Sequence, residues 1–278
     1  MSKKLVSGLV GCAAIALLIV ARPSEAETKR TATPNAEAPS GACPDDMVEI
    51  DGEYCPFLYQ LCLQWLSNGK GPLLRCAEFK KSGACMTATK KKHFCIDRYE
   101  WPNRKGAIPP VSLDWFEAKR SCAAVGKRLC GDDEWTLACE GPERLPYPYG
   151  YSRNSEACNI DHAWRKPDLE GYTNAYTRAS EVARLDQREP SGSRPSCVSA
   201  YGVYDMTGNV DEWVVNETGQ CKPYCSGLKG GAWAGVRNRC RPMTTFHSEG
   251  DHFYEIGFRC CADVRGGSPQ PIESDNPY

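Results

Sequence analysis

Asp205, Gly208 and Glu212 fall within one short stretch, YGVYDMTGNVDEW (Tyr201 to Trp213), and make an oxygen-rich turn bent at glycine. Carboxylates and inward-turned carbonyls on such a turn are how a chain wraps a hard cation, and Gly208 allows the sharp bend. The other role open to the two carboxylates is helix capping or turn stabilisation. Trp213, and Trp233 in KGGAW (Lys229 to Trp233), flank the turn and are expected to anchor it to a core.

Three further groups carry chemistry. HSEGDH holds His247 and His252 with Glu249 and Asp251 between them, either an iron or zinc constellation or a polar loop. Cys221 and Cys225, in QCKPYCSG, are a redox pair, a copper site or two more disulfide cysteines. Arg237, Arg239 and Arg241 alternate through VRNRCR; on a strand they would share one face and could hold an acidic ligand, or they make ordinary surface ion pairs. No GxSxG, HExxH or phosphate loop is present.

The elements that must position these groups come from patterning. MVEID (Met47 to Asp51) alternates as a first strand, and FCIDRYEW (Phe94 to Trp101) is expected as a second. Cys55 to Cys95 shows little periodicity and reads as a cysteine-stapled insertion, about 55–93, with Lys90, Lys91 and Lys92 in a solvated loop. Trp115, Ala118, Cys122 and Val125 recur at helical spacing after Ser112, expected as N-cap, until Gly126 stops the run. Asp132 is expected to cap a second helix that Gly141 ends. Beyond Pro142 the chain is rich in Gly, Pro, Asn, Ser and Tyr, an irregular region that needs staples or ions.

Compartment follows from the ends and the cysteines. Residues 1–26 read as an export signal, with Lys3 and Lys4, an apolar run from Leu5 to Ala21 and small residues at the cleavage site. Leu9-Val10-Gly11-Cys12 also matches a lipidation box, so a lipid tether on Cys12 is the alternative. Residues 27–42 read as a disordered tether, 43–264 as the folded domain and 265–278 as a disordered tail. Of 17 cysteines, Cys12 leaves with the signal; the remaining even number in an exported chain is the arithmetic of a disulfide framework. Their irregular spacing never gives the paired CxxC units of a zinc site. The net charge of -1 leaves no footprint for nucleic acid.

From Met47 to Val264 the blocks MVEID, DRYEW, VSLDWFEAKRSC, GKRLCGDDEW, YPYG, YGVYDMTGNVDEW, KGGAW and IGFRC resemble the sulfatase-modifying-factor domain, the family of the formylglycine-generating enzyme. The resemblance implies an α+β, C-type-lectin-like fold, loop-rich and disulfide-stapled. It implies bridges joining Cys122 to Cys260 and Cys139 to Cys240. The vicinal Cys261 and the extra Cys130 lack a family counterpart and are matched with each other, with exchange of Cys260 and Cys261 left open. It also implies structural calcium: one site from Asp205, the carbonyls of Gly208 and Val210, and Glu212; another beginning at Asn159 and Ile160.

The family enzyme oxidises a substrate cysteine with copper held by two cysteines after the GG-aromatic turn. Here that interval, Ala234 to Arg239, has no cysteine, and neither Arg nor Asn replaces a thiolate pair for cuprous copper. The expectation is therefore an exported, calcium-stabilised module, secreted or periplasmic, without iron or copper and without nucleic-acid contact. It would bind a peptide, protein or glycan. The alternative is an oxidoreductase of the same family using HSEGDH or the Cys221–Cys225 pair.

Overall fold

The computed structural model describes residues 41–66, 75–81 and 83–266. The export signal, almost all of the tether and most of the tail fall outside them. In chain order, β1 (Met47–Tyr54) leads into a cysteine-rich excursion of β2 (Leu58–Tyr59), β3 (Cys62–Trp65), β4 (Cys76–Phe79) and β5 (Ala84–Cys85). β6 (Lys90–Asp97), α1 (Trp115–Ala124), β7 (Arg128–Leu129) and α2 (Asp132–Glu140) follow. After two short helices, α3 (Leu169–Thr173) and α4 (Arg178–Leu185), come β8 (Asp211–Val215), β9 (Ser226–Lys229), β10 (Met243–Thr244), β11 (Ile256–Phe258) and β12 (Cys260–Asp263). None of these helices is long and apolar enough to cross a membrane.

Two four-stranded sheets organise the domain, in the orders β1-β6-β12-β7 and β10-β9-β8-β11. Alternation along β1 sends Val48 and Ile50 inward, where they join Phe94 and Ile96 of β6 and Trp135, Leu137 and Ala138 of α2. A second core gathers Trp115 of α1 with Trp213 of β8 and Phe258 of β11. Both tryptophans flanking the cation turn are buried, as expected: Trp213 is 1% and Trp233 2% exposed.

The second strand differs from expectation. It runs Lys90–Asp97 rather than Phe94–Trp101, and the lysines lie inside it rather than in a loop. β1 offers acids opposite them: Glu53 faces Lys91 across the ladder, Asp51 pairs with Lys91, and Lys92 reaches Asp133 at 2.6 Å. Opposite charges on facing positions stabilise a strand that hydropathy alone does not suggest. DRYEW turns away at the end of β6 instead of extending it.

Both caps also move by a residue or two. Asp114, not Ser112, caps α1: its carboxylate accepts from the Glu117 amide at 2.6 Å, and Glu117 accepts in return from the Asp114 amide. That reciprocal box satisfies two orphan N–H groups, which a single serine could not. Gly131 is the N-cap of α2; Asp132 is already helical and accepts from Thr218. Glu134 serves the Gly131 amide at 2.9 Å.

All sixteen described cysteines are bridged. Cys122–Cys260 and Cys139–Cys240, which the resemblance implied, are among the pairs, and Cys130, without a family counterpart, is joined to Cys261. Successive strand residues face opposite sides. The vicinal cysteines of β12 therefore part, Cys260 to the α1 core and Cys261 to the α2 core. Cys55–Cys85 and Cys62–Cys76 staple the excursion internally, while Cys95 reaches outside it to Cys43.

A buried carboxylate cluster and the pocket beside it

The turn before β8 holds Asp205 (φ 57°), Gly208 (φ 86°) and Asn209 (φ 58°) in the left-handed region. A Cβ on Gly208 would lie 2.3 Å from the Asn159 carbonyl oxygen and 2.5 Å from Ile160 Cγ2. Only glycine admits that approach, so the two expected cation segments are pressed together. The Asn209 amide seals the contact by donating to the Asn159 carbonyl at 3.0 Å.

Asp205, Glu212 and Glu100 are buried around this turn, with Arg259 as the guanidinium among them. Glu212 accepts two hydrogen bonds from Arg259, at 2.6 and 2.7 Å, and one from the Trp135 indole at 2.7 Å. Asp205 accepts from the Gly192 amide at 2.7 Å. Glu100 accepts from Ser191 at 2.8 Å and Asn209 at 2.7 Å. Burial first, then neighbouring negative charge, pushes the Glu100 carboxyl well above its ordinary range. Burial likewise raises Asp205 to about 6 against the Gly192 hydrogen bond and the Arg259 charge.

Arg259 is taken by Glu212, so Glu100 and Asp205 have no ion-pair partner among the described residues, and burial disfavours their charged forms; a divalent cation would hold them ionised. The buried Oδ1 of Asn159 also lacks a hydrogen-bond partner. Among the described residues no three His, Cys, Asp or Glu side chains converge as a metal site. A cation here would lean on amide and backbone oxygens, a donor set that suits calcium and not a soft metal. Asp205, Asn159, Ile160, Gly208 and Val210 would supply oxygen donors of the kind that calcium takes. Glu212, expected as a ligand, already has Arg259 and Trp135 on its carboxylate.

Asp211 and Glu212 are neighbours on β8 and serve opposite sides of it. Glu212 joins the buried cluster, while Asp211 lines a pocket of about 480 Å³. Ala234 to Arg237, within the interval where the copper cysteines would stand, form part of its wall. Trp164, Trp233, Phe246, Phe253 and Tyr254 supply aromatic surface, and Glu255, just before β11, adds a second carboxylate. Asp211 Oδ1 accepts the Gly231 amide at 3.1 Å. Burial, reinforced by the charge of Glu255, raises the Asp211 carboxyl to about 7; burial also raises Glu255.

The remaining candidates do not converge. Cys221 and Cys225 are joined in a disulfide. His247 lies 3.5 Å from Asp251 and between the rings of Phe246 and Phe253, whereas His252 lies beside Tyr172. The Glu249 carboxylate is taken by the amides of Cys225 and Ser226. The three arginines, which would share one face only on a strand, follow an irregular path and take separate partners. Arg237 donates to Thr244, Arg239 lies over the Phe79 ring, and Arg241 forks onto Glu140. Sequence reasoning missed Glu100, Asn209, Asp211, Glu255 and Arg259 as site residues. Glu100 and Arg259 sit in the motifs DRYEW and IGFRC, but nothing local marks them as partners of the turn.

The two small sheets with flanking helices, long loops and eight bridges define an α+β domain of C-type-lectin-like fold. A model of the sulfatase-modifying factor enzyme 1-like domain matches residues 74–264, and the chain belongs to that family. It is similar to the inactive C-alpha-formylglycine-generating enzyme 2 of Bos taurus, 27% identical over 162 residues, covering 56% of this chain and 50% of the relative. The formylglycine-generating enzyme of Mus musculus is 28% identical over 177 residues, covering 56% of this chain and 44% of that protein. The chain thus spans about half the length of the curated relatives it matches. The crystal structure of CarF covers 80% of this chain and 99% of its own, with a TM-score of 0.50 and 15% identity, a likeness of fold.

Proposed function

We propose that this protein is an exported binding module on a formylglycine-generating-enzyme-like scaffold, without copper-dependent oxidation of a substrate cysteine. One observation carries the reading: the Ala234–Arg239 interval contains no cysteine, and its first residues wall a pocket containing carboxylates and aromatic rings. Cuprous copper needs soft sulfur ligands, and all sixteen described cysteines are consumed in bridges. The likeness to a relative named inactive supports the same reading.

Export, to the periplasm or the medium, is supported by the eight bridges, which form and persist in oxidising compartments. A lipid on Cys12 would tether the same domain to the envelope. Calcium, held by Asp205 and the Gly208 and Val210 carbonyls with a second ion at Asn159 and Ile160, would neutralise the buried acids and fix the turn. The ligand would enter the pocket and not the calcium cluster.

Metal analysis of protein purified from an oxidising compartment tests the proposal. Calcium without transition metal is the expected result. Stoichiometric copper or iron, lost when His247 or Cys221 is replaced, would overturn it in favour of an oxidoreductase with a relocated site.

A further inference from the structure

We propose that the pocket behind the Ala234–Gly235 wall takes a cationic group, an ammonium or guanidinium carried on an apolar or aromatic body. This rests on the pocket being the ligand site and adds the chemical class of its occupant. The pocket, at about 480 Å³, lies within the usual range for small-molecule sites.

Two carboxylates line it from adjoining strand ends: Asp211 opens β8, and Glu255 precedes β11, its carbonyl accepting the Asp211 amide at 2.9 Å. Neither forms an ion pair among the described residues. Glu100 and Asp205 share that lack in the buried cluster, but four other sunken acids each hold a cation. Asp97 holds Lys127, Glu134 holds Arg128, Glu140 holds Arg241 and Glu212 holds Arg259. A half-buried carboxylate pair without a counter-ion is electrostatically costly, and a cation arriving from solution relieves it.

The pocket's own cations do not fill that role. Arg165 is exposed at the rim and donates to the carbonyls of Arg184 and Asp186. Arg237 donates to the Thr244 hydroxyl. Both arginines thus direct their hydrogen bonds to neutral oxygens, and the charge of Arg237 offsets the burial of Asp211 only in part. The walls meanwhile suit a cation with an apolar body. Trp233 and Tyr254 stand with ring centroids 6.2 Å apart, and Trp164 and Phe246 expose 64% and 71% of their surfaces. Ring faces attract ammonium and guanidinium groups, and the aromatic area covers the remainder of the ligand.

Phenethylamine, 2-phenylethanol and phenylacetate separate charge from shape, and tryptophan fluorescence of the disulfide-intact protein reads their binding. The amine is expected to bind about tenfold or more tightly than the alcohol, as one charge-assisted contact provides, with phenylacetate weakest. D211N and E255Q should each reduce amine affinity by about tenfold and leave alcohol affinity within about twofold. Equal binding of amine and alcohol, preference for phenylacetate, or no binding of any probe would sink the cationic assignment. If D211N fails to fold, E255Q and the three-ligand comparison on the unmodified protein still decide. Equal binding would leave the binding-module reading standing, whereas cysteine oxidation by a protein that prefers the amine would overturn that reading alone.

Discussion

Glu212 and Arg259 clasp each other through two hydrogen bonds of 2.6 and 2.7 Å, with both side chains 1% exposed. The pair links β8 to the junction of β11 and β12, and Trp135 adds a third donor from α2. Such a pair is expensive to bury but more expensive to break. Arg259→Leu would strand Glu212 beside Glu100 and Asp205, and a loss of about 3–5 kcal/mol is expected in chemical denaturation. The double replacement E212Q with R259M should recover much of it.

Calcium should act on the same region through Asp205. Millimolar calcium is expected to raise the melting temperature, by roughly 2–4 °C for each kcal/mol of linkage in a domain of this size, and chelation should reverse the rise. Asp205→Asn should reduce or abolish the response. An unchanged melting curve in both proteins would remove calcium from the account.

Lys229 gives the chain a pH signature. It is 2% exposed, and burial is the main reason its ammonium loses its proton near pH 8 rather than 10.5. Its Nζ donates to Thr136 at 2.8 Å and to the Arg241 carbonyl at 2.9 Å. Between those two pH values the unfolded state binds the extra proton, so this group makes the fold more stable as pH rises. Below pH 8 the burial cost is present in full. Guanidinium unfolding at pH 7.5 and 9.5 should show that rise in the wild type and not in Lys229→Met.

The bridges should contribute unequally. Cys130–Cys261 closes a sequence separation of 131 residues and Cys221–Cys225 one of 4. In the chain-entropy model these loops differ strongly, about 5 against about 2 kcal/mol. Replacing the first pair with alanines should therefore lower the denaturation midpoint more than replacing the second. Thiol titration of the unreduced, unfolded mature domain should find no free cysteine.

What the sequence disclosed depended on whether the signal was local. Helical spacing revealed α1, cap and stop signals revealed α2, alternation revealed β1, and a specific motif order revealed the family and two disulfide pairings, leaving Cys130 and Cys261 to be matched with each other. The caps moved because Asp114 and Glu117 satisfy each other's amides, a reciprocity that outcompetes Ser112. The lysines of β6 became strand residues because β1 supplies Glu53 and Asp51 across the ladder, a partnership set by tertiary register. α3 and α4 are too short for a clear period. The pocket was hidden for a related reason: Asp211 and Glu255 are 44 positions apart, and only the parallel pairing of β8 and β11 brings their strand ends together.

Copper binding coupled to turnover tests the central claim most directly. The disulfide-intact protein would be titrated with cuprous ion against a competing chelator. It would then be incubated with oxygen and a cysteine peptide that the family enzyme converts, and formylglycine would be read by mass spectrometry. No stoichiometric copper retained and no peptide converted is the predicted result. One copper held per chain together with formylglycine in the peptide would contradict the account.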